Sequence, residues 1–596
     1  MQKTQKFEQI QQKGIFNKED FDYYTLLSTQ IPPSIDKLTS ENCILFALGI
    51  GYSKDPIAEK EDLKYTYELH DNFSIFPMHG FNLLKDKNPF EYLLYAKGKP
   101  IPHPMCLVHG EERCEIYKQF QTEQKYYTET KIIDAEDKIS GLLMTHCSST
   151  FEYNNGKKGD LVFKSINSWF LRGLGGSQFK GTGQRIKMPQ IPKKNPIFEI
   201  TIQIDKNQHA LYRLAGDKNP LHIDNREAQK LQQQIQFKNL NYCANFINQQ
   251  GWFQYANIAW NVFLQYRNQK CFKAFLQWRP QFIKGVNMSS IGKKQKYKPE
   301  DFDLEKAFNY KFEPHESSFS VDDAILYAIS IGLSRDPVYN KEDLKYTYEN
   351  DSDYSVFPIG GLLLFKGWDI QKALMQNPGI PPIHPMAILH GEQRCEFYLP
   401  FKPNQKYLTY LKITDFVDKG SGLLYQYELQ TYEKSNEKKL AGKFISTLFV
   451  RGHGGSQYKG KGNAKQIPPI PKREHDMLVE EKIAKNQAIL YRLTGDKNPL
   501  HIDFQQAAAG GFNQPILHGM NFYALGAKNI VKRFLHNQED KLKVYQCRFV
   551  GYVFPGETII FKYWKEGNQI FLQGEVLERK SVCLQGYAEV QNPPQL

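Results

Sequence analysis

Late in the chain, apolar residues recur at helical spacing. Ile516, Met520, Tyr523, Ala527, Ile530 and Phe534 stand at i, i+4, i+7, i+11, i+14 and i+18. That places them along one face of a helix about five turns long. Four stretches rich in β-branched and aromatic residues follow, at 544–549, 558–564, 569–576 and 582–590. Pro555-Gly556 and Glu566-Gly567-Asn568 provide the turns between the earlier ones. Further upstream, 407–416, 423–432 and 443–450 read as another strand set. One long helix and a meander of strands predict a sheet wrapped round a helix, an α+β design.

The pattern occurs twice. Residues 61–68 (EDLKYTYE) recur at 342–349, and Leu107-Val-His-Gly-Glu111 recurs as Ile388-Leu-His-Gly-Glu392, both at an offset of 281. Further on the offset is 279: Arg172-Gly-Leu-Gly-Gly-Ser-Gln178 matches Arg451-Gly-His-Gly-Gly-Ser-Gln457, and GDKNPLHID stands unchanged at 216–224 and 495–503. A period this long is a duplicated domain pair, not a solenoid unit. After Asp224 the likeness ends. The segment that follows is rich in Gln and Asn, carries three of the six tryptophans and a single acid, Glu227. Lost similarity with such a shift of composition marks either a degenerate half-domain or a faulty reading frame. Pro/Lys linkers at 189–196 and 468–473, and a lysine-rich one at 293–298, divide the chain into four halves: 15–188, 197–295 (degenerate), 296–467 and 474–596. Four is also what 596 residues suggest.

Composition changes this picture little. With 41% apolar, 24% charged and 14% aromatic residues, the chain is of globular type. The net charge of +13 invites a nucleic-acid reading, but residues 229–299 alone hold eleven basic residues and no acid, leaving 66 basic against 64 acidic elsewhere. The excess belongs to one odd segment, so no nucleic-acid partner is expected. The nine cysteines are scattered without a CxxC pair, which argues against a zinc ribbon or a disulfide framework. No apolar run is long enough to span a bilayer, and residues 1–14 lack the apolar core of a secretory signal. A soluble, intracellular, multi-domain protein is expected.

The chemistry concentrates in two short segments. Asp496-x-Asn498-Pro499-x-His501-x-Asp503 puts a carboxylate, an amide and an imidazole on one shaped loop, with Gly495 and Pro499 interrupting regular structure. A carboxylate and an imidazole converging on one point hold a water and move its protons, work worth roughly 10² to 10⁴ in rate. A polar turn with a helix-capping Asp has the same composition; the unchanged second occurrence favours the chemical reading. Gly510-Gly-Phe-x-x-Pro-Ile-Leu-His-Gly519 leads into the long helix, whose first free N–H groups suit a developing negative charge. At Gly519 no side chain would obstruct a planar thioester. The Leu-His-Gly-Glu and Val-His-Gly-Glu segments ending at Glu392 and Glu111 are further candidates for close approach. The glycine clusters at 173–176 and 452–455 lack dinucleotide and P-loop spacing, and neither a nucleophile elbow with an oxyanion motif nor HExxH occurs.

Residues 491–503 (YRLTGDKNPLHID), followed by 511–519 (GFNQPILHG), resemble the signature of the MaoC-like (R)-specific enoyl-CoA hydratases, the hydratase 2 type found in peroxisomal multifunctional β-oxidation enzymes. The resemblance covers nearly all of 320–595. It implies tandem double hot-dog domains and reversible syn addition of water to a trans-2-enoyl-CoA, giving (3R)-3-hydroxyacyl-CoA. It further implies that Asp496 and His501 flank the water, that Asn498 supports their loop, and that the Gly519 N–H polarises the thioester. His390, Gly391, Lys419 and Phe549 would line the acyl-CoA site, with no cofactor and no metal. The first copy keeps Asp217, Asn219 and His222, together with His109, Gly110 and Lys138, but lacks the GFxxPILHG run. These residues are therefore expected to be vestigial, with the first copy packed on the second as an intrachain pseudo-dimer. Neither a dehydrogenase nor a sterol-carrier neighbour is seen, so hydration without oxidation is expected. The rivals are a hot-dog thioesterase acting on the same thioesters and a non-catalytic acyl-CoA-binding or scaffold protein. The resemblance suggests the peroxisome, although Gln591-Asn-Pro-Pro-Gln-Leu596 is no SKL-type signal; otherwise the cytoplasm is expected.

Overall fold

A computed structural model describes residues 16–83, 89–102, 107–183, 204–218, 222–223, 297–337, 340–383, 387–462 and 465–591. Asn219, the linker 189–196 and nearly all of the degenerate half and the basic stretch lie outside the described residues. The chain divides into two units, Met1–Tyr52 with Glu61–Trp278 and Ser53–Lys60 with Arg279–Leu596.

The first unit holds a five-stranded antiparallel sheet. Its strands are β1 (Ser34–Lys37), β2 (Leu107–Ile116), β3 (Lys125–Asp137), β4 (Gly141–Asn154) and β5 (Lys157–Arg172), in the order β1-β3-β4-β5-β2. Helix α1 (Ser40–Gly49) begins where the Thr39 side chain accepts the Asn42 N–H, and from Cys43 onward it is buried throughout. A second helix, α2 (Gln208–Ala215), reaches it through Gln208, whose Nε2 donates to the Leu48 carbonyl at 2.9 Å.

The second unit closes two such halves into one sheet of ten strands. They are β6 (His315–Ser317), β7 (Ile388–Phe397), β8 (Tyr407–Asp418), β9 (Gly422–Glu433), β10 (Asn436–Arg451), β11 (Met477–Lys482), β12 (Leu542–Phe549), β13 (Thr558–Glu566), β14 (Gln569–Val576) and β15 (Ser581–Val590). Their order, β11-β13-β14-β15-β12-β7-β10-β9-β8-β6, joins the halves through β7 and β12, where Val544 faces Glu396 and Arg548 faces Glu392. Arg394 secures this seam. Its guanidinium donates to Glu396 at 2.7 Å, to the Gln546 amide oxygen at 3.0 Å and to the Tyr587 hydroxyl at 2.9 Å. Each half wraps its own helix, the tandem hot-dog arrangement. In one half it is α3 (Val321–Ser330), started by a reciprocal cap between Ser320 and Asp323. In the other it is α5 (Gly519–Arg533).

The strands read from the sequence appear with ends shifted by at most two residues, except that β10 begins seven residues earlier, at Asn436. Two features differ from the expectation. Helix α5 starts at Gly519, because Pro515 to His518 form the extended approach to it, and it is buried on all sides from Asn521 to Val531. A single apolar face suffices in the sequence because the inward polar groups find partners: Lys528 pairs with Glu481 at 2.9 Å, and the Asn521 amide donates to the Ser330 carbonyl at 2.8 Å. The Leu-His-Gly-Glu and Val-His-Gly-Glu segments, candidates for close approach that show no strand pattern in the sequence, lie on β7 and β2. In each, register slips at the glycine: Leu448 faces His390 while Thr447 faces Glu392, leaving Gly391 as the extra residue of a bulge. Gly110 does the same in the first unit. A bulge re-aims the neighbouring side chain, here His390 or His109.

Candidate functional site

In the second unit, α4 (Gln487–Arg492) leads into the loop that carries the chemistry. Gly495 at φ +132° allows the turn, in a conformation that a side chain would strain. Asn498 then ties the loop to itself. Its N–H donates to an Asp496 carboxylate oxygen at 3.2 Å, and its side-chain oxygen accepts the Leu500 N–H at 3.1 Å. Asp503 spends its carboxylate on a cap, accepting from the Gln505 and Gln506 N–H groups at 2.8 and 3.1 Å. Of the two aspartates in the motif, only Asp496 is left for chemistry.

His501 is held by its Nδ1, which donates to the Ile516 carbonyl at 2.8 Å. A carbonyl only accepts, so the ring proton sits on Nδ1 and the neutral ring carries its lone pair on Nε2. The adjacent segment contributes a residue that the sequence reading passed over. His518 stacks on His501 with ring centroids 3.7 Å apart, and its Nε2 donates to the Asp496 carbonyl at 3.1 Å. The potential donor atoms of Asp496, His501 and His518 all lie within 4.8 Å of one another. Asp496 stays accessible to solvent although protein crowds it closely.

Charge follows from these neighbours. Burial alone would raise the Asp496 carboxyl, but the imidazoles of His518 and His501 and the Asn498 N–H hold it below its ordinary value. Burial pulls His501 below 6.5 against the opposing pull of Asp496, and takes His518 to about 3 and His390 to about 4. At neutral pH the cluster is one carboxylate among neutral imidazoles.

Gly519 opens α5, and among the described residues its N–H makes no hydrogen bond. The Phe549 ring packs so close that a Cβ on Gly519 would sit 3.3 Å from it, and the His390 ring lies 5.0 Å from Phe549. His390 is within electrostatic reach of Asp496, and its Nε2 is buried without a partner. Asp496, His501, Gly519, His390 and Phe549, with Gly391 in the bulge, thus gather in one place. Lys419 is not in this group; it sits exposed at the β8–β9 turn, its N–H bonded to the Gly422 carbonyl. In the first unit, His222 Nε2 lies 3.5 Å from the Asp217 carboxylate. His518 had a signal in the sequence, since it immediately precedes Gly519, but a histidine at a helix start looks like a cap until its stacking is seen.

The chain is similar in sequence to proteins of one family. A MaoC-like domain matches residues 466–584, and the N-terminal domain of MFE-2 hydratase 2 matches twice, at 37–173 and 317–452. A probable enoyl-CoA hydratase 2 from Dictyostelium discoideum is 37% identical over 265 residues, 44% of this chain and 87% of its own length. The peroxisomal multifunctional enzyme type 2 of Mus musculus is 34% identical over 281 residues, 47% of this chain but only 37% of that protein. Among solved structures, a MaoC-like dehydratase from Phytophthora capsici is 32% identical, covering 49% of this chain and 98% of its own, with a TM-score of 0.45.

Proposed function

The chain belongs to the hydratase 2 family of MaoC-like proteins, and we propose that its second copy adds water reversibly to trans-2-enoyl-CoA thioesters, giving (3R)-3-hydroxyacyl-CoA. The observation that carries this reading is the meeting of an ionised Asp496, the Nε2 lone pair of His501 and the unpaired Gly519 N–H in one place. Water held between Asp496 and His501 gives up a proton to this pair as its oxygen bonds to C3. The electron pair of the double bond moves toward the thioester oxygen, where the Gly519 N–H meets the developing charge; loss of such a donor costs about 3–4 kcal/mol. The pair then returns a proton to C2 on the same face. Protons and electrons balance without an outside oxidant or reductant. His390 and Phe549 wall the acyl thioester, and Lys419 offers its charge to the CoA phosphates.

On this reading the first copy, lacking the oxyanion glycine, is inactive and pairs with the second within the chain, the four halves following the boundaries read from the sequence. Relatives named peroxisomal favour that compartment. No helix among the described residues is long and apolar enough to cross a membrane. The test is loss of enoyl absorbance with a medium-chain trans-2-enoyl-CoA, followed by chiral analysis of the product, for wild type, Asp217→Asn and Asp496→Asn. An R product lost only in Asp496→Asn supports the reading. Release of free thiol, or loss of activity in Asp217→Asn alone, refutes it.

A further inference from the structure

The sheets of the two copies match in register but not in the chemistry of their inner surfaces. In the second unit one cross-strand row runs Gln393, Ser446, Tyr427 over β7, β10 and β9, and the row beside it ends Phe444, Leu429, Leu411. The first row is satisfied internally, with Ser446 donating to the Gln393 side-chain oxygen at 2.6 Å, and the second is hydrocarbon. At the same register the first unit carries Glu112, Asn167, His146 and then Ser165, Ser148, Thr130. All three hydrocarbon side chains have become hydroxyls, and Tyr427 and Gln393 are replaced by an imidazole and a carboxyl.

This surface is buried, and its polar groups are not all spent. Thr130 and Ser148 bond each other at 2.8 Å, and the Asn167 amide donates to Ser165 at 3.1 Å. His146 is 4% exposed, with an Nδ1 that has no hydrogen-bond partner. One Glu112 oxygen lies 3.2 Å from His109 Nε2, while the other is buried without a partner. Asn167 stands directly between these two residues in the register. A buried polar atom left unpaired costs about 1–3 kcal/mol, so two on either side of Asn167 are a standing demand for a ligand or an ordered group. The cluster also adjoins the Asp217–His222 pair, since Tyr212 of α2 lies within electrostatic reach of both Asp217 and Glu112.

Resting on the thioester reading above, we infer that the first copy binds acyl-CoA whose chain carries a hydroxyl group, which is received over Asn167 between Glu112 and His146. A plain hydrocarbon chain would leave both groups unpaired. A second carboxylate would be repelled by Glu112. A hydroxyl donates to the carboxylate oxygen and serves the imidazole in either tautomer. Sites built to bond a substrate hydroxyl discriminate strongly against analogues that lack it.

Calorimetric titration of the full chain with dodecanoyl-CoA, unsubstituted or with one hydroxyl at C6, C9 or C12, tests this. At least one hydroxylated thioester should show an additional site per chain, about tenfold or more tighter than the plain thioester reaches there. Glu112→Gln with His146→Tyr, which installs the residues of the second copy, should remove that extra site, as should Glu112→Gln alone, with the fold checked by circular dichroism. Equal binding of all four thioesters, or an extra site untouched by the substitutions, overturns the inference. Hydration of trans-2-dodecenoyl-CoA by the same preparation separates the two readings. If hydration persists without an extra site, only this inference fails; if there is neither hydration nor thioester binding, both fall.

Discussion

His518 is where the site is most open to a sharp test. Replacing it by Phe keeps a ring against His501 and Tyr491, whose ring lies 5.0 Å away, but removes the donor to the Asp496 carbonyl. A carbonyl stripped of its partner costs up to about 1–3 kcal/mol, and the loop recovers it by moving toward other donors or toward water. That carries Asp496 away from His501. A displacement of about 1 Å costs on the order of a hundredfold in rate, so kcat should fall ten- to a hundredfold, about 1.4–2.7 kcal/mol. KM should stay within about threefold, because His518 is 1% exposed and leaves no surface for substrate. The pH profile supplies a readout that mere destabilisation would not move. Both acceptors work unprotonated, so activity falls as pH drops through their values, and the wild-type acid limb should lie below 6.5. Asp496 is what holds the His501 value up against burial, so the displacement in His518→Phe should move the limb downward. His518→Gln, which retains an N–H donor, should recover part of kcat. Steady-state kinetics over a pH series decides: an unchanged kcat in His518→Phe, or a fall without any shift of the limb, refutes the positioning role.

Two further outcomes concern stability. Arg394→Met leaves Glu396 and Gln546 at the strand seam without their cation, and breaking a buried pair by one partner costs about 3–5 kcal/mol; denaturant unfolding should show it, with Glu396→Gln added to the variant restoring part. In the first unit, burial drives the Glu112 carboxyl up to about 7 from 4.5. The stability this allows is present below 4.5 and lost as pH rises through 7, so Glu112→Gln should flatten the pH dependence of first-unit unfolding across that window by on the order of 3 kcal/mol.

The sequence was most legible where period and burial agree. The strands β8–β10 bury alternate residues, so their pattern carries the fold directly; β12–β15 alternate less strictly, and there the β-branched and aromatic content is the signal, with Trp564, Phe571 and Tyr587 packed against Ile467 and Ile470. β7 is not legible as a strand because its bulge at Gly391 breaks the alternation and its polar residues Glu392 and Arg394 serve the seam instead of a solvent face. Helix α3 is only ten residues long, which leaves its amphipathic period fewer than three turns in which to show. Within the site, Asp496, Asn498 and His501 stand close in the chain and could be read together. The tautomer of His501 could not, since it depends on a carbonyl fifteen residues away, nor could the stack of His518.

The seam between β7 and β12 also sets an order of events during synthesis. Arg548 reaches back 156 residues to Glu392, and the strands it joins are central in the sheet, not peripheral. Until residues 542–549 leave the ribosome, β7 has no neighbour on that side, and the nascent half must wait with its hydrogen-bonding edge open. Closing so long a loop costs entropy that no local contact offsets beforehand. Translation speed through the segment 451–541 therefore governs how long that edge is exposed to other nascent chains, and the run of charged residues Glu392, Arg394 and Glu396 along β7 is what protects it in the interval.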